Sequence, residues 1–262
     1  MRTESIDGQP HPLLRGHVMR YGGFTEDAPL AIRRREVAFS GVAVILALEG
    51  TWELTDPARD GAWCTRQSFV GGLVGGPVLV DHTGFTLTLQ FDLTPLGARQ
   101  LLGVPGADLA GQVVDVADVL GDAGRVLVER LRELGSWPAR FRALDGFLLE
   151  RLSKATPVSA DVSWAWRRLV DADGDIRIGT LVTELGCSGR HLSRRFMEEI
   201  GMTPKAYARV LRFERAMRLL TAGEEPGDVA FACGYADQPH FNREFLAMAG
   251  VPPRVAYAER AP

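Results

Sequence analysis

Leu181-Val182-Thr183-Glu184-Leu185-Gly186-Cys187-Ser188-Gly189-Arg190-His191-Leu192-Ser193-Arg194-Arg195-Phe196 has a second version in the same chain, Val229-Ala230-Phe231-Ala232-Cys233-Gly234-Tyr235-Ala236-Asp237-Gln238-Pro239-His240-Phe241-Asn242-Arg243-Glu244-Phe245. Leu181 and Gly186 have counterparts 48 residues later; from His191 the offset is 49, and it holds through Leu192, Arg194, Phe196, Gly201 and Pro204. One residue has been added in the turn, and the register then resumes. Two copies are too few for a solenoid, and each has the grammar of a helix-turn-helix. A short apolar helix ends at Gly186 or Gly234, the residue type that most easily takes the positive φ of a sharp exit. Ser188 and Asp237 are suited to cap the helix that follows. Leu192 with Phe196, and Phe241 with Phe245, share one face and pack back.

The opposite face carries Arg190, Ser193 and Arg194 in the first copy, and Gln238, His240, Asn242 and Arg243 in the second. Such side chains donate to or accept from base edges when a recognition helix enters the major groove. Tyr207 to Leu220 contains no Gly or Pro and is predicted to form one helix between the copies. From Arg177 to Arg218 there are nine Lys or Arg against four acids, although residues 157–262 as a whole are neutral. A patch concentrated in this way suits phosphate contact.

The segment from about Ile176 to Tyr257 resembles the AraC/XylS-type DNA-binding domain, two helix-turn-helix units joined by a long helix. Gly234 to Phe245, followed by Gly250, Pro253 and Tyr257, is similar to that family's second-unit signature. Ser188, His191, Leu192, Arg194, Phe196, Gly201, Pro204 and Tyr207 match the first. The resemblance implies base reading by Arg190, Ser193, Arg194, Gln238, His240, Asn242 and Arg243, and phosphate contact by Ser188, Lys205, Arg209 and Asp237. One departure is Val182, where Ala is more usual and slight crowding is expected.

The chain has 262 residues and a net charge of −3, with 46% hydrophobic and 24% charged residues, the balance of a globular protein of two domains. No signal peptide opens it and no apolar run approaches a membrane span, so a cytoplasmic protein is expected. Cys64, Cys187 and Cys233 are widely spaced with no CxxC, which argues against zinc or a disulfide framework.

The first 92 residues read as strands. Val42 to Leu48 is a continuous apolar run, Thr51 to Thr55 alternates, Phe69 to Val74 and Pro77 to Val80 are short, and Phe85 to Phe91 alternates strictly. Helices are predicted from Thr94 to Leu102, Asp122 to Leu134 and Ala139 to Leu152, the last with a stripe of Phe141, Leu144, Leu148 and Leu152. That stripe fits packing within the domain or pairing of two chains. The expected fold is α+β: a β-barrel of cupin-like or jelly-roll type (1–93), a helical, dimerising segment (94–156), and an all-α DNA-binding domain (157–262) expected to bind by itself.

The resemblance implies a transcription factor that binds double-stranded DNA. A small-molecule effector in the barrel near Trp52, Trp63 or Phe91, a second copy of the chain, and RNA polymerase complete the expected partners. The alternative is a regulator whose N-terminal domain serves only assembly. An enzyme is not expected. His11, His17 and His82 form no HxH, and GxSxG, Walker and Rossmann patterns are absent, so neither metal nor cofactor is called for. His82 reads as a surface or hydrogen-bonded turn residue.

Overall fold

The computed structural model describes residues 2–56 and 60–260; the side chains at 2 and 257–260, that of Tyr257 among them, lie outside the described residues. In chain order the strands are β1 (Arg2–Gly8), β2 (Val18–Glu36), β3 (Val42–Glu49), β4 (Trp52–Asp56), β5 (Ala62–Arg66), β6 (Ser68–Gly71), β7 (Val78–Leu93) and β8 (Val113–Asp115). Before β8 lie α1 (Pro95–Leu102) and α2 (Gly106–Leu109), and after it α3 (Val116–Glu133) and α4 (Trp137–Ser153). The remaining helices are α5 (Ala160–Asp171), α6 (Ile178–Leu185), α7 (Gly189–Ile200), α8 (Pro204–Thr221), α9 (Pro226–Ala232), α10 (Gln238–Ala249) and α11 (Pro253–Arg260).

The strands form one antiparallel sheet of order β1-β2-β7-β3-β6-β8, with the β4–β5 hairpin branching from β7. The expected barrel is not closed. Among the described residues, β1 and β8 are separate edges with no pairing between them. Helices do the covering that closure would have done: α4 packs on β1, and α3 packs on β3, β6 and β8. The segments around Pro77–Val80 and Phe85–Phe91 are one strand, β7, which pairs along its length with β2.

Alternation splits β7 into two environments. Leu89, Phe91 and Leu93 face a core shared with Tyr21, Val44, Leu46, α1, α3 and α4. His82, Thr86 and Thr88 point the other way and are also buried, so beyond the exposed Phe85 the segment that reads as half-solvated is covered on both faces. His82 is therefore neither a surface nor a turn residue: its Nε2 lies 2.6 Å from Glu26 Oε2. Arg34 donates to the same carboxylate at 2.9 Å. Burial alone would raise the Glu26 carboxyl, but Arg34 and then His82 hold it below the usual range.

Thr94 caps α1, accepting the Gly97 N–H at 2.9 Å, with Pro95 in the first turn. The stripe on α4 is occupied by its own domain. Leu144 and Leu148 are fully buried, and Phe141 stacks on Tyr21 at 5.9 Å. The Tyr21 hydroxyl donates to Asp145 on α4 at 2.9 Å. Pairing two chains through this stripe would require pulling it out of the sheet.

The N-terminal and helix-turn-helix halves are joined by direct contact. The loop between β2 and β3 inserts Ala38 into the core of the second unit, beside Phe213, Phe241 and Phe245. Its N–H donates to Met248 O at 3.1 Å. Two residues on, the Ser40 N–H donates to Glu214 Oε1 at 2.8 Å, and Ser40 O accepts from Tyr207 Oη at 2.9 Å. At the first unit, α2 lies on the end of α7 so closely that a Cβ on Gly106 would fall 2.4 Å from the Ile200 carbonyl carbon.

Burial pushes the Glu214 carboxyl up, against the lowering effect of its bond from Ser40. Because the folded value lies above the unfolded one, the stabilisation is complete at acid pH. It is lost as pH rises from the ordinary carboxylate range through the raised value. Glu214→Gln keeps an acceptor for Ser40 without the charge. Thermal midpoints measured across pH are expected to fall through that window in the wild type and to be flatter in the variant. Parallel profiles would show that this carboxyl does not titrate with folding.

Candidate nucleic-acid interface

Each helix-turn-helix unit is built from a few local decisions. Helix α6 stops at Gly186 with φ 63°, and the turn after α9 passes through Gly234 with φ 72°. Both lie in the left-handed region that a side chain disfavours. Ser188 Oγ then accepts the His191 N–H at 3.1 Å, and Asp237 Oδ1 accepts the His240 N–H at 2.6 Å, starting α7 and α10. Leu192, Phe196, Phe241 and Phe245 are buried, which fixes the rotation of both helices. The longer second turn buries the ring of Tyr235 at 5.2 Å from Phe241; its hydroxyl is pushed up to about 12, mainly by that burial. Val182 is half-buried against the core, and its Cγ2 lies 3.8 Å from where a Cβ on Gly189 would sit.

The outward faces follow from these rotations. At about 100° per residue, Arg190, Ser193 and Arg194 occupy one arc of α7; both arginines are exposed and Ser193 is half-buried. The equivalent arc of α10 is Pro239, Asn242 and Arg243, all exposed. Gln238 and His240 flank this arc on either side. The His240 ring lies edge-on to Tyr235 at 5.4 Å and 3.6 Å from Glu244, with its side chain still 43% exposed.

Helix α8 connects the units, capped by Thr203 and continuous over 18 residues. Arg209 on α8 donates to Glu244 Oε1 on α10 at 2.8 Å, and Arg212 lies 3.9 Å from the same carboxylate. This linkage couples the connecting helix to the second recognition helix and partly neutralises Arg209. Lys205 is exposed at the start of α8. The capping oxygens of Ser188 and Asp237 are engaged within the chain. The Ser188 hydroxyl proton remains for a phosphate, whereas an Asp237 carboxylate has only acceptor capacity and repels one.

The effector residues do not converge. In the β4–β5 register Trp52 and Trp63 fall on opposite faces of the hairpin. Trp63 is exposed beneath the Arg33 guanidinium at 5.1 Å. Phe91 belongs to the helix-facing core. Only Trp52 reaches the inner sheet face, where its ring meets His82 at 4.8 Å. Two surface concavities, of about 480 and 260 Å³, lie beside Arg177–Glu184 and between β6 and α3. Among the described residues, no cluster of three or more His, Cys, Asp or Glu is placed to hold a metal, and no helix is long and apolar enough to cross a membrane.

Sequence reading passes over Met197 and Leu246. They are exposed, lie on the same arcs as Arg194 and Arg243, and are 49 residues apart. The offset that pairs the histidines also pairs them.

A family model described as "Helix-turn-helix domain" matches residues 181–258. Over 66 residues the chain is 36% identical to YbfI of Bacillus subtilis, described as an uncharacterized HTH-type transcriptional regulator, covering 25% of this chain and 24% of that one. Over 74 residues it is 42% identical to the HTH-type transcriptional activator RhaR of Pectobacterium atrosepticum, covering 28% of this chain and 26% of RhaR. The chain thus spans about a quarter of the length of these curated relatives. The fold is also similar to that of Vibrio cholerae ToxT. The unsaturated fatty acid-bound wild-type form aligns over 97% of this chain and 99% of its own, at 12% identity and a TM-score of 0.51. The apo form of a point variant aligns over 91% and 97%, at 13% identity and a TM-score of 0.51.

A bidentate arginine–guanine contact discriminates by about 1–3 kcal/mol. Arg194→Ala and Arg243→Ala are each expected to lose that much preference at one base pair, measured by titrating an operator and its single-base variants. Uniform weakening across all variants would place the arginine on phosphate instead.

Proposed function

We propose that this chain, whose residues 181–258 match a helix-turn-helix family model and resemble the AraC type, is a sequence-specific, DNA-binding transcriptional regulator. The observation that carries the reading is the pair of capped helices, α7 and α10, each turned to expose an arginine on its outward arc. Exposed Lys205, with Arg190 and Arg194 on α7, supplies positive charge that would hold such helices against phosphate. The full chain is expected to bind a selected operator with log K falling steeply against log salt. A folded protein whose DNA affinity ignored salt would sink this reading. The fragment 157–262 is expected to bind more weakly than the intact chain, because it lacks the Ala38 contact to the second unit and the Ser40 contacts to the connecting helix.

For the N-terminal domain we infer control by a small polar molecule on the inner sheet face. The support is chemical. His82 Nδ1 and Trp52 Nε1 are buried there without hydrogen-bond partners, on rings 4.8 Å apart, and each such group is costly to leave unpaired. The fatty acid-bound ToxT shows a ligand on a similar fold. Native mass spectrometry of the chain purified from its own host is expected to show an adduct that His82→Ala abolishes. An unliganded mass for a chain that binds its operator normally would favour the assembly-only alternative.

A further inference from the structure

Helices α7 and α10 each present one large apolar side chain to solvent, Met197 at 37% and Leu246 at 46% exposure. Isolated exposed apolar residues are ordinary on protein surfaces and need no explanation. These two are not isolated in that sense. They occupy the same position of a repeated unit, three residues after Arg194 and Arg243. That spacing sets each on the arc of its arginine, about 4.5 Å further along the helix axis. Core packing does not account for them, because Phe196 and Ile200 on α7, and Phe245 and Met248 on α10, fill the inward face. Nor does docking of the N-terminal domain, whose close backbone approaches fall at Glu199–Gly201 and at Ala247–Gly250 and not on these two side chains.

In a major groove an apolar side chain finds one apolar partner, the C5-methyl of thymine. Base steps are 3.4 Å apart along a strand, so a displacement of about 4.5 Å moves from the base read by the arginine to a neighbouring step. We propose that Met197 and Leu246 are thymine-methyl readers, one in each unit, working beside the arginines. The proposal rests on the DNA-binding reading and adds a specificity that the polar residues do not supply. It assigns each half-site a thymine next to the guanine chosen by Arg194 or Arg243.

The test replaces the thymines of a selected operator one at a time with deoxyuridine, which removes the methyl and preserves base pairing. Full-length wild type is expected to lose affinity several-fold at one thymine in each half-site. Met197→Ala should be indifferent to the replacement in one half-site and Leu246→Ala to that in the other, while Arg194→Ala and Arg243→Ala remain sensitive. Both apolar positions are exposed, so the alanine variants should fold, as circular dichroism checks. Wild type that binds tightly yet ignores every replacement would overturn the proposal while leaving the DNA-binding reading intact. So would alanine variants that weaken all operators equally, since that result places the side chains against the sugar-phosphate backbone. Absence of salt-dependent DNA binding by the wild type overturns both.

Discussion

Ala38 is one small residue on a loop of the sheet domain, yet the arrangement of the helix-turn-helix half depends on it. Its side chain is buried among the aromatic residues of the second unit, and its N–H satisfies the Met248 carbonyl near the end of α10. Ser40 does the same for the connecting helix through Glu214 and Tyr207. With α2 seated on the end of α7, both recognition helices are held at their C-terminal ends by the N-terminal domain. Their N-terminal halves remain turned to solvent. A perturbation of the sheet has a short mechanical route to α8 and α10, along β2 into the loop.

The same joint explains why α8 carries its polar pairs where it does. Arg209 and Arg212 meet Glu244 on the side facing α10, and Trp166 donates to Tyr207 at 2.9 Å on the side facing α5. Burial raises the Tyr207 phenol, which therefore stays protonated and able to donate to Ser40. The connecting helix is thus locked on several sides: to the first unit, the second unit and the sheet.

Much of the DNA-binding half is legible in the sequence because its signals are local. A glycine that leaves a helix, a capping Ser or Asp and an aromatic pair four apart act over one or two turns. The repeat then checks each signal against a second example. Helix α5 escapes such a reading despite Val162, Ala165 and Leu169 at helical spacing, since no repeat draws attention to it. Strand β2 is illegible for a different reason. It holds Gly22, Gly23, Pro29 and three consecutive arginines, and it is a strand because β7 pairs with it from 42 to 75 residues away, from Glu36–Val78 to Val18–Leu93. Long-range pairing also decides the fate of the effector residues: Trp52, Trp63 and Phe91 look alike in sequence, and strand parity sends them to three different places.

Proline at 239 stands where the first unit has Arg190, and it removes a cationic side chain from the centre of the second reading arc. The two units are therefore unequal partners in tandem on a single polypeptide: the first turns two arginines outward, and the second one arginine, an asparagine and the rigid ring of a proline. Exchanging the two helices would not regenerate the same surface, so whatever meets this face meets it in one orientation.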